Sequence, residues 1–188
     1  MSTFTLINPT TGQAFDEIHR ADVDEVDEAV AQALVAQRVW AALAPLARAD
    51  ALRAFARVVE NHVDELAALE VLNSGHPIGS AQWEANHVAQ VLNYYAGAPE
   101  RLLGAQIPVA GGIDVTFHEP IGVIGVIVPW NFPMTIASWA FAPALAAGNA
   151  VVLKPAELTP LTAVRLGELA LEAGLPAGLF RVITGSGS

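Results

Sequence analysis

Three short segments in the second half of the sequence contain side chains or glycines that could bind a ligand. They are Pro129-Trp130-Asn131-Phe132, Lys154-Pro155-Ala156-Glu157 and Gly185-Ser186-Gly187-Ser188. A glutamate can accept hydrogen bonds from ribose hydroxyls, and it repels a 2′-phosphate. A lysine offers donors to the same ribose, and glycines let the backbone approach a pyrophosphate closely. Together these residue types suit a dinucleotide.

Each segment also has an interpretation that needs no ligand. Lys154 and Glu157 could form an ion pair within their loop, Asn131 could form an Asx turn, and the glycine segment could be a flexible end. The common dinucleotide fingerprint places a glycine-rich turn after the first strand, whereas residues 129–133 contain no glycine. A dinucleotide would therefore be held in a different manner here, and spacing leaves both interpretations open.

The three segments follow the strands of a predicted α/β unit. Residues 121–128, 150–153 and 180–183 are short apolar runs, the first of them rich in β-branched side chains. Short apolar strands that alternate with helices predict a Rossmann-like parallel βαβαβ sheet with right-handed crossovers. In such a sheet ligands bind beyond the carboxyl ends of the strands, which is where all three segments are expected to lie.

Two predicted helices connect these strands. Proline suits the first turn of a helix, so the first helix is expected to begin at Pro133 and to stop at residues 148–149. The second is expected to have Thr159 as its N-cap and Pro160 at its first position, and to end at Gly174.

The first half of the chain, to about residue 105, is predicted to be helical. Asp22 with Glu25 three residues later is typical of a capping box. Behind it, one helical face is predicted to contain Val26, Ala29, Val30, Ala33 and Leu34. Residues 73–75, Asn-Ser-Gly, predict the end of a later helix and a turn.

Residues 107–119 alternate loosely around Gly111-Gly112, which predicts a β-hairpin. A two-stranded hairpin is only marginally stable in water. It is therefore expected to pack on its own domain or on another subunit, and the residues leave that choice open.

Composition excludes several classes of protein. The 188 residues are 53% hydrophobic, which excludes a disordered chain, and the net charge of −10 argues against nucleic acid and anionic membranes as partners. No apolar run approaches the ~20 residues of a spanning helix, and the N-terminus lacks the features of a signal peptide, so a cytoplasmic location is expected. The absence of cysteine removes thiol chemistry, and the spacing of the five histidines does not indicate a metal site.

The sequence resembles the NAD(P)-dependent aldehyde dehydrogenase superfamily. The likeness includes EPIGVIGVIVPWNFPM and PALAAGNAVVLKPAELTPLTA, and it extends from INPTTGQ near the start to AGLPAGLFRVITGSG at the end. The combination of Pro-Trp-Asn-Phe-Pro and Lys-Pro-Ala-Glu at this separation is highly specific. The resemblance implies an aldehyde dehydrogenase fold that is incomplete in this chain.

The resemblance also implies roles for individual residues. Asn131 matches the asparagine whose amide binds the oxyanion as an aldehyde becomes a thiohemiacetal. Lys154 and Glu157 match the pair that holds the adenosine ribose, and Glu157 favours NAD over NADP. The implied cofactor-binding positions are Val128, Pro129, Trp130, Lys154, Ala156, Glu157 and Gly187.

The resemblance further implies a domain organisation. Residues 1–105 and 121–188 match the N-terminal part of the NAD-binding domain, and residues 106–120 match a hairpin of the oligomerisation arm. A homo-oligomer, either a dimer or a tetramer, is therefore expected. The catalytic domain has no counterpart in this chain.

Three departures from the family pattern bear on function. The last glycine of the family's Gly-x-Gly-x-x-x-Gly loop is absent, and the nucleophilic cysteine and general-base glutamate lie beyond the matched segments. Ala140 stands where many members have a lysine. The expected parent protein oxidises an aldehyde to a carboxylic acid with NAD, whereas the 188-residue chain is expected to be inactive. The alternative is a stand-alone, non-catalytic module for nucleotide binding or assembly.

Overall fold

The structure is a computed structural model that describes residues 2–187. Its elements, in chain order, are β1 Ser2–Ile7, β2 Ala14–Arg20, α1 Val23–Ala41, α2 Pro45–Asn61, α3 Val63–Ser74, α4 Ile78–Ala96, a 3-10 turn Pro99–Arg101, β3 Gln106–Val109, β4 Gly112–Val115, β5 Val123–Ile127, α5 Pro133–Ala146, β6 Ala150–Lys154, α6 Leu161–Glu172 and β7 Phe180–Val182.

The βαβαβ unit predicted from the sequence is confirmed. Strands β5, β6 and β7 pair in that order, and both pairs are parallel. The register aligns Val123 with Ala150 and Val151 with Phe180, so the strands end at a common edge. Helices α5 and α6 connect the strands, and right-handed crossovers place such helices on one face of a sheet. Helix α1 contacts all three strands and covers the other face.

The beginning of the chain differs from the helical prediction. Residues 2–20 form an antiparallel hairpin in which β1 pairs with β2, with an irregularity between Leu6 and Ile7. Most of its side chains are exposed or half-buried, so the sequence lacks the regular alternation of a strand with one fully buried face. The hairpin brings the end of β2 close to the loop after β7, because Ala21 N donates to Thr184 O at 2.7 Å.

Helix α1 begins with the predicted capping box, and its buried face contains Ala29 and Ala33 of the predicted face. Asp22 accepts from Glu25 N, and the Glu25 side chain accepts from Asp22 N. The buried residues are Ala29, Ala33, Ala36 and Trp40, whereas the predicted members Val26 and Leu34 are exposed. Small alanine side chains let the helix lie close to the sheet, and the larger valines are left at its border.

The hydrophobic core lies between the crossover helices and the second helix. Phe55 on α2, Phe141 on α5 and Phe180 on β7 form an aromatic cluster with centroid distances of 4.7 to 6.4 Å. Aromatic pairs in this range stabilise a core beyond the area that they bury. The cluster joins the sheet to the N-terminal helices.

Helix α6 begins differently from the prediction. Pro160 is the N-cap residue, and Thr159 does not cap the helix with its side chain. Instead, Asn73 at the end of α3 accepts from Leu161 N at 3.1 Å and donates to Leu158 O at 2.9 Å. The predicted stop after α3 is confirmed, since Gly75 adopts a left-handed conformation with φ of 77°.

The predicted hairpin around Gly111-Gly112 is also confirmed. Strands β3 and β4 pair with each other, and every residue of both is exposed. Within residues 2–187, neither strand belongs to a larger sheet.

Candidate functional site

The corner after β5 holds Asn131 at the edge of the sheet. Val128 is buried and its backbone N donates to Lys154 O at 3.1 Å, while Trp130 O accepts from Thr159 Oγ1 at 3.3 Å. Pro133 then starts α5. The backbone on both sides of Asn131 is therefore fixed by neighbouring elements.

The Asn131 side chain is exposed, and within the described residues it makes no hydrogen bond. An Asx turn requires a hydrogen bond from the side chain to nearby backbone. That interpretation of Asn131 is therefore wrong. A free amide on a fixed corner can donate to an oxygen atom that carries developing negative charge.

The loop after β6 contradicts the predicted ion pair between Lys154 and Glu157. Lys154 Nζ donates to Pro155 O at 3.0 Å and to Gly185 O at 3.1 Å, which ties the loops after β6 and β7 together. Glu157 pairs instead with Arg20 at the end of β2, with 3.0 Å between Nη2 and Oε1. The two side chains that the sequence analysis assigned to a ribose therefore have different partners. Ala156 lies between them, half-buried, and its O accepts from Thr159 N at 3.2 Å.

The glycine segment after β7 leaves space for a ligand. Gly187 is exposed, and a Cβ atom added to it would meet nothing within 4 Å. Gly185 is buried, and its Cβ position lies 3.7 Å from Ala21 O. Within the described chain, contacts do not require glycine at residue 187.

A cleft of about 610 Å³ lies between the first half of α1 and the sheet. This volume is in the range of small-molecule sites, roughly 300–1,000 Å³. Its walls are largely apolar, and its polar lining residues are Asp22, Lys154 and Ser186. The lining residues are Ala21, Asp22, Val23, Val26, Val30, Val123, Gly125, Val126, Ile127, Val152, Lys154, Ile183, Gly185 and Ser186.

The cleft could hold part of a dinucleotide, because it offers apolar walls for a base and a lysine for ribose or phosphate oxygens. Of the predicted cofactor positions, Lys154 lines it, whereas Glu157 and the Val128–Trp130 segment lie outside the lining. The sequence analysis assigned Asp22 to the start of a helix and did not place residues 21–23 at the cleft, because the β1–β2 hairpin that precedes them was not predicted.

A buried cluster of ionisable groups lies behind the corner. His76 Nδ1 is 2.6 Å from Glu84 Oε1 and 3.7 Å from Glu70 Oε1, and the three ligand atoms lie within 4.8 Å of one another. The His76 ring packs against Phe132, with 5.3 Å between the centroids. The spacing of the histidines in the sequence does not indicate this cluster. Glu70 and Glu84 belong to different helices, α3 and α4, which the turn at Gly75 brings together. Hydrogen bonds hold Glu84 and one oxygen of Glu70, whereas Glu70 Oε1 has no hydrogen-bond partner within residues 2–187.

Burial raises the pKa of both carboxyls in this cluster. Glu70 and Glu84 are 1% and 0% exposed, and water cannot stabilise their charged forms. Hydrogen bonds oppose the rise: Thr162 donates to Glu70 Oε2 at 3.0 Å, and the His76 ring contacts Glu84. The carboxyl protons are therefore held more tightly in the folded chain than in the unfolded one.

The outer side of α4 and α5 carries exposed aromatic rings. Trp139 Nε1 donates to His87 Nε2 at 3.0 Å, and Trp83 stacks on His87 with 4.9 Å between centroids. Ala140 is half-buried next to Trp139 on α5, and an alanine side chain cannot transfer a proton.

Comparisons with known proteins agree with this architecture. A model of the aldehyde dehydrogenase family matches residues 1–188. Similar solved structures include PnpE in complex with nicotinamide adenine dinucleotide, which is 40% identical over 99% of this chain and 39% of its own, with a TM-score of 0.96. An NADP-dependent enzyme from E. coli is 36% identical over 100% of this chain and 39% of its own, with a TM-score of 0.97.

A third similar structure, an NAD-dependent aldehyde dehydrogenase from Sinorhizobium meliloti, is 36% identical over 100% of this chain and 38% of its own, with a TM-score of 0.95. The chain thus spans about two fifths of the length of these relatives. Among the described residues, no helix is both long and apolar enough to cross a membrane. The family match and the identities over nearly the whole chain lead to one conclusion: this chain belongs to the aldehyde dehydrogenase family.

Proposed function

We propose that the protein containing this chain is an NAD-dependent aldehyde dehydrogenase that oxidises an aldehyde to a carboxylic acid. The free, exposed amide of Asn131 on its fixed corner is the observation that carries this proposal. In the proposed reaction a cysteine thiol adds to the aldehyde, and Asn131 Nδ2 donates a hydrogen bond to the oxyanion of the thiohemiacetal. The chain has no cysteine, so the thiol belongs to a segment outside these 188 residues.

The cofactor roles extend the same proposal. Lys154 lies at the rim of the cleft and offers its Nζ to the adenosine ribose, and Glu157 offers its carboxylate. The backbone of residues 128–130, with Ala156 and Gly187, lines the path of the cofactor. When bound, NAD accepts the hydride that leaves the substrate carbon. The chain's own residues orient the cofactor and stabilise the negative charge on the oxyanion.

The proposed domain organisation assigns residues 1–105 and 121–188 to the NAD-binding domain and residues 106–120 to an arm that contacts a second copy of the chain. The exposed apolar side chains of β3 and β4 support a homo-oligomer, because exposing an apolar surface to water is unfavourable. A cytoplasmic location is part of the same proposal.

The test is the substitution Asn131→Ala in the full-length protein. Loss of one preorganised oxyanion donor is expected to lower kcat for aldehyde-dependent NADH formation by about 10²–10³-fold. The dissociation constant for NAD, measured by calorimetry, is expected to change little, because the amide contacts the reacting carbonyl.

Asn93→Ala is the matched control, since Asn93 is an exposed asparagine on α4 that donates to Glu60. It is expected to retain the wild-type kcat. The 188-residue chain, tested by itself, is expected to form no NADH from any aldehyde. A wild-type kcat in Asn131→Ala, or turnover by the isolated chain, would contradict the proposed mechanism. Nucleotide binding without turnover by the full-length protein would instead support a non-catalytic module.

A further inference from the structure

Three ionisable side chains behind the corner converge on one small space. His76 Nδ1 is 2.6 Å from Glu84 Oε1 and 3.7 Å from Glu70 Oε1, and one ligand atom of each side chain lies within 4.8 Å of the others. A tetrahedral ion with nitrogen and oxygen ligands at about 2.0–2.2 Å holds these atoms roughly 3–4 Å apart. The side chains are therefore spaced almost as the ligands of one ion, and only the contact between His76 and Glu84 has to lengthen slightly.

One oxygen of this cluster is buried without a partner. Glu70 is 1% exposed, and its Oε1 atom has no hydrogen-bond partner within residues 2–187. The other oxygen, Oε2, accepts from Thr162 Oγ1 at 3.0 Å, so the unpartnered oxygen is the one that faces His76. A buried polar atom without a partner is unfavourable, and coordination of a cation satisfies a carboxylate oxygen in such a place.

The charges of the cluster favour a cation. Two ionised carboxylates carry two negative charges, whereas His76 supplies at most one positive charge. Within residues 2–187, the cationic partner of Glu70 and Glu84 is His76, and neither carboxylate pairs with a lysine or an arginine. A divalent cation bound by both carboxylates and a neutral imidazole leaves no net charge. Without an ion, protons take its place, which is the state in which the pKa of both carboxyls is raised.

The backbone brings these ligands together and leaves an opening to solvent. Glu70 lies on α3 and Glu84 on α4, and His76 lies in the turn between them, directly after the left-handed Gly75. The His76 ring is held by Phe132, with 5.3 Å between the centroids. The His76 side chain is 21% exposed, so an ion can reach the buried carboxylates past the edge of the imidazole.

We propose that Glu70, His76 and Glu84 form a binding site for a divalent transition-metal cation, and that Zn²⁺ is the ion which fits it. Zn²⁺ takes imidazole nitrogen and carboxylate oxygen together, whereas Mg²⁺ and Ca²⁺ prefer oxygen ligands. A water that enters past His76 supplies the fourth ligand. The ion replaces the proton between His76 and Glu84, and it ties the turn to both of its helices. None of the three residues lines the cleft, so this inference goes beyond the proposed function.

The test measures the binding of Zn²⁺ by calorimetry on the full-length protein, after treatment with a chelator and alkylation of its thiols. Alkylation is needed because a cysteine outside these 188 residues would itself bind zinc. The dissociation constant of Zn²⁺ is expected to rise more than about 100-fold in Glu70→Gln, because the loss of a residue that merely orients a ligand already costs about 10–100-fold. Zn²⁺ is also expected to raise the Tm of the wild type and to leave that of Glu70→Gln unchanged.

Glu100→Gln, at an exposed glutamate outside the cluster, is the matched control and is expected to bind Zn²⁺ as the wild type does. If Glu70→Gln unfolds, His76→Lys replaces it, because lysine offers both carboxylates a positive charge and has no lone pair for a metal. It is expected to fold, as judged by circular dichroism, and to lose the site. Equal Zn²⁺ binding by the wild type and a folded variant, or no binding by the wild type, would overturn the proposal. A proton or a water would then fill the space at Glu70 Oε1.

Discussion

At the scale of single residues, the pair of buried carboxyls behind the corner has consequences for stability. Glu70 and Glu84 approach one imidazole, His76, so the cluster contains more acids than bases. Glu70 Oε1 is buried and has no hydrogen-bond partner within residues 2–187. Ionising such a carboxyl costs free energy, which is the reason that burial raises its pKa.

The sign of the pH dependence follows from this direction. A carboxyl with a raised pKa contributes stability that is fully present below the pKa of the unfolded chain, about 4.5, and that is lost as pH rises through the folded-state value. Glu70→Gln has no proton to lose and still accepts from Thr162. Its free energy of unfolding, measured by urea titration, is expected to increase relative to that of the wild type as the pH rises above 4.5, because only the wild type has a buried carboxyl to ionise. Exposed Glu100→Gln is expected to follow the wild-type curve, and parallel curves for Glu70→Gln would contradict this assignment.

The residues of the site differ in how far sequence could predict them. Asn131 and Lys154 lie in short, unusual segments directly after strands, and their place at the sheet edge follows from the βαβαβ pattern. The positions of Arg20 and residues 21–23 do not follow from that pattern, because their place beside the cleft depends on a contact with residue 184. Local patterns carry no information about a pair so distant in sequence.

At the scale of elements, Asn73 joins three parts of the chain through one side chain. It lies at the end of α3, donates to Leu158 O in the loop after β6, and accepts from Leu161 N at the start of α6. Asn73 is 4% exposed, so water does not replace these bonds. It caps a helix that lies 88 residues later in the sequence.

Asn73→Ala is expected to destabilise the chain by about 1–3 kcal/mol, because two partly buried backbone groups lose their partners. Asn73→Asp retains an acceptor for Leu161 N but no donor for Leu158 O, and it is expected to lie between alanine and wild type. Urea unfolding at pH 7 measures both changes. A loss below 0.5 kcal/mol in Asn73→Ala, by the same principle, would mean that the two bonds do not stabilise α6.

Among the elements, those with regular packing were predicted most accurately from the sequence. The crossover helices and parallel strands have continuous apolar patterns, and all of them are present. The β1–β2 hairpin is largely exposed on both sides, which removes the alternation on which strand prediction depends. The sequence analysis assigned the N-cap of α6 to Thr159, because a helix is usually capped by a residue next to its first turn. In the structure Asn73 at the end of α3 accepts from Leu161 N instead.

At the scale of the whole molecule, the β3–β4 hairpin stands apart from the rest of the described chain. Its side chains include exposed Ile113, Val115 and, just beyond it, Phe117, which is 80% exposed. Two strands by themselves have little stability. An exposed apolar hairpin of this kind supports the proposed contact with a second copy of the chain.

Phe117→Asp in the full-length protein is expected to shift the oligomer to smaller species, because a buried carboxylate at the interface between copies is costly. Light scattering after size-exclusion chromatography measures the mass. Val35→Asp, at an exposed valine on α1, is the matched control and is expected to keep the wild-type mass. A wild-type mass for Phe117→Asp would remove the hairpin from the interface.

One border of the cleft depends on hydrogen bonds between β2 and the loop after β7, two segments that are synthesised far apart in time. His19 O accepts from Thr184 Oγ1 at 2.6 Å, and the two residues are 165 positions apart. A ribosome adds about 5–20 residues per second, so the early hairpin waits on the order of ten seconds or more for this partner. The nascent chain therefore cannot form the bonds that join β2 to the loop after β7 until β7 has emerged, and the earlier helices are synthesised before that border of the cleft exists.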